Sequence, residues 1–316
     1  MILVGGEALV DMFVDMRDPG GFRLRAVVGG SPLNLAIGLA RLELPTAFLG
    51  GISIDYFGTR LVTTLEGEGI DTTHLKRSAR PTPLVLVSPD AHGHPSYAFY
   101  ANDSAVQDVQ AADMPNPLAS SVTAIAVGSY AIAVEPVGSA LLSLVEREAA
   151  RTVVALDCNL RVAMVGSLEP WRQRIERFAR CASIIKLSDE DFFSGWGQGA
   201  QADEQAARWL RHGAKLVVMT CGARGATAWH RCGRVSVPAQ SVQVVDTVGA
   251  GDSFQAAILA RLTQKGLLNG PALSALDQDA IVDGMRYASL AAGITCGRCG
   301  ADLPRIKELN ALEDWA

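Results

Sequence analysis

The sequence predicts an α/β fold with three layers, in which helices cover both faces of a mostly parallel central sheet. Two observations carry that reading. Short runs of Val, Ile and Leu alternate with helix-like segments over most of the chain, the pattern of parallel strands buried on both sides. Two turn-centred patterns interrupt the alternation and read as hairpins, which add a small separate sheet. With 316 residues, 49% of them hydrophobic and 19% charged, the chain can bury a large core, in one large α/β domain or two smaller ones.

Taken in order, Ile2–Gly5 reads as the first strand. Residues 10–16 and 22–28 flank Asp18-Pro19-Gly20-Gly21 and read as the first hairpin. A helix follows over 32–42, a strand over 47–49 and a helix over 57–65. The second hairpin spans 83–88 and 96–100 around Pro89-Asp90-Ala91-His92-Gly93. Beyond it, strands at 122–127, 153–156, 184–187 and 216–219 alternate with helices at 137–149, 171–181 and 202–210. An extended run through Val242, Val244 and Val245 leads into a small-residue turn and an apolar helix from Phe254. Residues 264–280 read as a surface connection, and 281–294 as a last long helix.

The composition narrows the function classes. A net charge of −5, with basic residues scattered, argues against a nucleic-acid surface. Glu7 and Asp11 follow the apolar start too soon for a secretory signal. No apolar run reaches the roughly 18 residues of a membrane span, so a cytoplasmic location is expected. Six cysteines in so long a chain do not make a disulfide framework, and Cys296-Gly297-Arg298-Cys299 lacks the second pair that a structural zinc site needs.

The segment Asp246-Thr247-Val248-Gly249-Ala250-Gly251-Asp252-Ser253-Phe254 carries the most chemistry. Glycines at a helix entry let backbone approach a ligand, and the first helical N–H groups suit an anion such as phosphate. A carboxylate in the same turn, Asp252, would repel that anion unless it serves as a base; the plain alternative is a helix cap. No Gly-x-x-x-x-Gly-Lys-Ser/Thr loop occurs, and no Gly-x-Gly-x-x-Gly opens a helix after the first strand. The turn at 249–252 is therefore the best phosphate cradle, and the missing dinucleotide pattern disfavours a nicotinamide dehydrogenase.

This segment resembles the second signature of the ribokinase, or PfkB, carbohydrate kinases. Gly29-Gly30-Ser31-Pro32-Leu33-Asn34-Leu35-Ala36 resembles the first signature, and the two stand in the family's order. The resemblance implies a single ribokinase-like α/β/α domain over residues 1–316, with the hairpins at about 10–28 and 83–101 as a lid over the sugar, and a homodimer through that lid sheet. It implies ATP, Mg2+ and a monovalent cation such as K+ as cofactors. Asp252 becomes the catalytic base, with Gly249, Ala250 and Gly251 as the anion hole and Arg161, in Asp157-Cys158-Asn159-Leu160-Arg161, as a clamp on the phosphate or a sugar oxygen. Cys158 stands where relatives have proline. The sugar is expected at Asp11, Gly29, Gly30, Asn34 and Asn159, with Tyr97 and Phe99 either covering the ring or forming dimer core. The nucleotide is expected at Lys186, Ser188, Thr220, Gly222, Gly225 and Gly300, beside the turn glycines.

Lys186-Leu187-Ser188-Asp189-Glu190-Asp191 departs from the family's Asn-x-x-Glu. Asp191 and Glu190 are its candidates for magnesium through water, with an acidic helix cap as the alternative, and Asp246 is the candidate for the monovalent cation. The aromatic run Pro95-Ser96-Tyr97-Ala98-Phe99-Tyr100 and Gly6-Glu7-Ala8-Leu9-Val10-Asp11 look most like the bacterial fructokinase branch. The expected reaction is ATP-dependent phosphorylation of D-fructose at its 6-hydroxyl. A 2-keto-3-deoxygluconate kinase, a ribokinase, or a sugar sensor without catalysis are the alternatives.

Overall fold

The structure is a computed structural model and describes residues 1–15, 23–89, 95–162 and 167–313. Nine strands form the main sheet in the order β13-β12-β11-β10-β9-β8-β1-β4-β5. Its parallel part comprises β1 (Ile2–Gly5), β4 (Thr46–Ser53), β5 (Leu75–Ser78), β8 (Ala124–Gly128), β9 (Val153–Asp157), β10 (Ile184–Ser188) and β11 (Leu216–Thr220). The edge strands β12 (Ala226–His230) and β13 (Gly233–Val237) run antiparallel.

Side chains alternate across the sheet as strand geometry requires. Ile2, Val4 and Phe48 join one core with α1 (Ser31–Arg41), α2 (Tyr56–Gly67), α8 (Ala250–Gln264) and α10 (Gln278–Cys296). Leu3, Ala47 and Leu49 join the other with α4 (Val137–Glu148), α5 (Leu168–Cys181) and α7 (Ala202–Arg211). The short α3 (Ser129–Ala133) and α6 (Asp189–Trp196) belong to this second layer, while α9 (Gly270–Ser274) and α11 (Ile306–Glu313) pack on the first. Fully buried Phe48, Phe178 and Trp209 anchor the two layers, each large side chain worth about 1.5–3 kcal/mol in burial.

The hairpin strands make a second sheet in the order β3-β2-β6-β7, from β2 (Leu9–Asp15), β3 (Arg23–Gly29), β6 (Leu84–Pro89) and β7 (Pro95–Tyr100). The hairpins are joined to each other by parallel pairing of β2 with β6. Leu9, Val85 and Val87 give this sheet its own small core with Phe13 and Phe99. Both hairpin turns, at 18–21 and 90–93, lie outside the described residues.

Two expectations change. No strand covers Val242, Val244 and Val245; these side chains are exposed, and the amides of Val245 and Asp246 bond to the Cys296 carbonyl at the end of α10. Within 264–280 a short helix does form, α9, capped by the Asn269 side chain on the Ala272 amide. No helix among the described residues is long and apolar enough to cross a membrane.

Candidate active site

A cleft of about 770 Å³ opens between the C-terminal ends of the parallel strands and the small sheet. Ligands of open α/β sheets gather at such strand ends. Here chain segments distant in sequence converge: Asp11 from the lid, Asn34 from α1, Arg161 after β9, Lys186 from β10, and Asp252 from α8.

Asp252 is the third residue of α8, not its cap; the cap position is Gly249, whose φ of 79° is left-handed. The Asp252 carboxylate is 7% exposed. Both its oxygens are held from α1: Ser31 Oγ donates to one at 2.6 Å and Asn34 Nδ2 to the other at 2.8 Å. Asn34 thus touches the candidate base directly, and it does not cap α1, which starts at Gly30 without a side-chain cap. Gly30 has φ 106°, and a Cβ there would stand 2.8 Å from the Glu7 carbonyl oxygen, so only glycine fits. At Gly29 a Cβ would collide with the Asp11 carboxylate.

Asp11, Phe13, Tyr97 and Phe99 lie on one face of the lid sheet and line the cleft. The Tyr97 and Phe99 rings stack with centroids 6.5 Å apart. Burial pushes the Asp11 carboxyl up to about 6, with Asp252 adding to the shift and Arg161 opposing it. Asn159, with φ 31°, and Arg161 form the opposite rim. Their loop is pinned by Leu160 N–H on Asp191 and by Cys158 N–H on the Lys186 carbonyl.

Of the residues expected at the nucleotide, Lys186, Ser188, Thr220, Gly222, Gly249 and Gly251 line the cleft. Gly225, Gly300, Ala250 and Asp246 are not among the residues that line the cleft. Gly225 closes the β11–β12 hairpin, its carbonyl accepting from Cys221 N–H at 2.7 Å. Gly300 donates its N–H to Asp246, which also accepts from Val248, so both Asp246 oxygens are committed to backbone. Asp246 therefore braces two loops, and each of its oxygens keeps a lone pair beyond the one backbone bond it accepts.

Asp191 belongs to the capping box of α6: its side chain bonds to the Ser188 amide and the Ser188 hydroxyl to its own. Asp191 thus caps α6 and also lines the cleft, as does Glu190 beside it, which lies outside that box. Among the described residues no group of three or more His, Cys, Asp or Glu is placed to hold a metal ion. That donor set suits a divalent ion carried mainly by phosphate oxygens and water.

Sequence reasoning missed Ser31 as a partner of the base, and it missed the floor of the cleft. There Glu7, 2% exposed, accepts from the Ala131 amide and holds Ser129 and Tyr130 at the end of β8. Burial raises the Glu7 carboxyl above its usual range. No local motif announces such a contact, because its partners lie on different strands.

A base held between two donors, beside free helix amides and two cations, can deprotonate an alcohol while charge on a transferring phosphoryl group is stabilised. This chain is similar to known fructokinases. A fructokinase from Rhizobium leguminosarum bv. trifolii is 39% identical over 284 residues, covering 90% of this chain and 86% of the relative. The crystal structure of a fructokinase with bound ATP from Xylella fastidiosa superposes with a TM-score of 0.91 at 25% identity, over 99% of this chain and 98% of that one. A double-mutant fructokinase from Vibrio cholerae O395 in fructose-, ADP- and potassium-bound form gives 0.84 at 26% identity, over 98% and 97%. The pfkB family carbohydrate kinase model matches residues 3–308. The chain belongs to the pfkB family of carbohydrate kinases.

Proposed function

We propose that this protein is a fructokinase, which moves the γ-phosphoryl group of ATP to the 6-hydroxyl of D-fructose. One observation carries the reading: the Asp252 carboxylate, gripped by Ser31 and Asn34, lies at the mouth of the Gly249–Gly251 turn inside the shared cleft. Fructose would sit between that carboxylate and the lid, with its hydroxyls on Asp11, Asn159 and the free oxygen of Asn34, against the backbone of Gly29 and Gly30. Tyr97 and Phe99 would cover its ring. ATP would lie along Lys186, Ser188, Thr220 and Gly222, with its phosphates on the amides at 249–251 and Gly225 and Gly300 behind.

Asp252 takes the hydroxyl proton as the sugar oxygen bonds to phosphorus and the bond to ADP breaks. Arg161 faces the transferring group from the opposite rim. Mg2+ would arrive on the triphosphate, with Glu190 and Asp191 reaching it through water, and neutralises phosphate charge. A potassium ion would sit among the loops that Asp246 ties together. Asp11, an acidic side chain of the small sheet in the cleft, favours a neutral ketose, while Arg25, stacked over Phe13 on the same face, is the cation a sugar acid would use.

The chain would work as one domain with its lid. The far face of that lid offers Met12, Leu24, Leu86 and Tyr100, with Leu24 42% and Tyr100 64% exposed, which supports a homodimer through it. An ATP-consuming sugar kinase belongs in the cytoplasm, where its donor is. ADP release should be measured with fructose, ribose, adenosine and ketodeoxygluconate at saturating ATP. Turnover of another acceptor with none on fructose would reject the substrate. Sedimentation of a monomer at micromolar concentration would reject the dimer.

A further inference from the structure

Lys186, set above along the nucleotide, is tied to a buried partner, Asp157, that has no role so far. Lys186 and Asp157 face each other in the register of β10 and β9, and Lys186 Nζ stands 2.8 Å from Asp157 Oδ2. Their side chains are 6% and 4% exposed. Ion pairs this deep gain little stability, because desolvation of both groups offsets their attraction. This pair is also unsaturated, since Asp157 Oδ1 is buried without a hydrogen-bond partner. A structural network would normally fill that acceptor.

The position of the ammonium supplies the reason. Lys186 lines the cleft, and its Nζ lies 2.9 Å from the point where a Cβ on Gly251 would stand. Gly251 has no left-handed φ to explain it; a side chain there would press on the ammonium. The lysine is thus packed against the second residue of α8, beside the amides that would receive phosphate and opposite Arg161 across the cleft.

We infer that Lys186 is a catalytic cation that stabilises the transferring phosphoryl group, and that Asp157 is the positioning residue that aims it. This rests on the kinase reading above. Lys186 keeps its protons throughout: the sugar proton goes to Asp252, and the broken bond's electrons leave with ADP. The groups facing the ammonium are Asp157 from β9, Asp191 from α6 and Asp252 from α8. Burial alone would lower the lysine's proton affinity, but contact with Asp157 and the fields of the other two carboxylates outweigh it and raise the pKa. Without Asp157 the burial effect has less opposition, and the lysine should lose its charge at lower pH.

The test compares wild type, Lys186→Met, Asp157→Asn and Asp157→Asn/Lys186→Met for kcat against pH, with sugar affinity from calorimetry. Lys186→Met should lower kcat by about 10²–10³ while sugar affinity stays within roughly threefold. Asp157→Asn should move the alkaline limb of kcat toward lower pH, so that its deficit shrinks on acidification; simple loss of packing would lower kcat equally at every pH. The double variant should match Lys186→Met, since Asp157 acts only through the lysine. Full activity in Lys186→Met, or an unshifted limb in a folded Asp157→Asn, overturns the inference. Should Asp157→Asn not fold, Lys186→Met and the double variant, which buries no unpaired charge, decide by the same kcat criterion. A wild type inactive on every sugar would instead overturn the kinase reading.

Discussion

Asp11→Asn should make the free enzyme more stable and worse at its task. The Asp11 carboxyl is pushed to about 6 from an ordinary 3.8, chiefly by burial in the lid face. A group whose folded pKa is raised lends stability that is complete below its unfolded pKa and is lost as pH rises through the folded one. The folded protein therefore bears a penalty that grows between pH 3.8 and about 6 and is full above that. A shift of about two units corresponds to roughly 3 kcal/mol, reduced to about 2–3 kcal/mol because the side chain keeps some contact with water. The asparagine variant keeps the shape without the charge. At pH 8 its melting temperature should exceed that of wild type by roughly 3–5 °C, and the gap should close as pH falls toward 4.

On the proposed placing of fructose the same charge would help once sugar arrives, since a carboxylate accepts hydrogen bonds from hydroxyls better than an amide does. Losing one such charge-assisted bond costs about 1.5–3 kcal/mol, so KM for fructose should rise roughly 10–100-fold with kcat less affected. Saturating fructose should also narrow the stability gap. Thermal melts from pH 4 to 8, with and without sugar, check all of this. A variant less stable than wild type at pH 8, or a gap that ignores pH, would refute the argument.

Asp252→Asn should lower kcat by about 10²–10⁴ while calorimetry still detects sugar, and persistent turnover would show that another group is the base. Asn34→Leu leaves one Asp252 oxygen without its 2.8 Å donor; kcat should fall about 10–100-fold, and a loss under threefold would remove Asn34 from the positioning of the base. Gly30→Ala must hold a φ of 106° and meet the Glu7 carbonyl oxygen, so urea unfolding should show a loss of at least about 1–3 kcal/mol. A stability equal to wild type would mean that this turn can relax.

The parallel strands were readable because each is a short apolar run that needs no neighbour to identify it, as in Ile125 or Ile184 with their flanking residues. The edge strands were not. β5 reads Leu-Lys-Arg-Ser and β13 Gly-Arg-Val-Ser-Val, polar enough to pass for loop, because an edge strand has a less buried side. β4 runs past Gly50 and Gly51, which look like a strand end. Yet a Cβ there would meet the carbonyl oxygens of Gly6 and Ala105 at 2.4 and 1.9 Å, so these glycines mark close backbone approach. In the site, Asp252 and its glycines were legible because their chemistry is local to one turn. The Ser31 bond to Asp252 and the Lys186–Asp157 pair join residues far apart in the chain, and only folding reveals such meetings.

The bracing of Gly249 has a consequence for how the enzyme comes into being. Ala301 packs on that glycine, and the Gly300 amide completes the grip of Asp246. During synthesis, every strand of the main sheet has left the ribosome before those two residues exist. A nascent chain can therefore own its sheet and its sugar wall while the seat for the triphosphate is still unfinished. On the proposed placing of the triphosphate, a ribosome-stalled chain ending before Gly300 should hydrolyse no ATP.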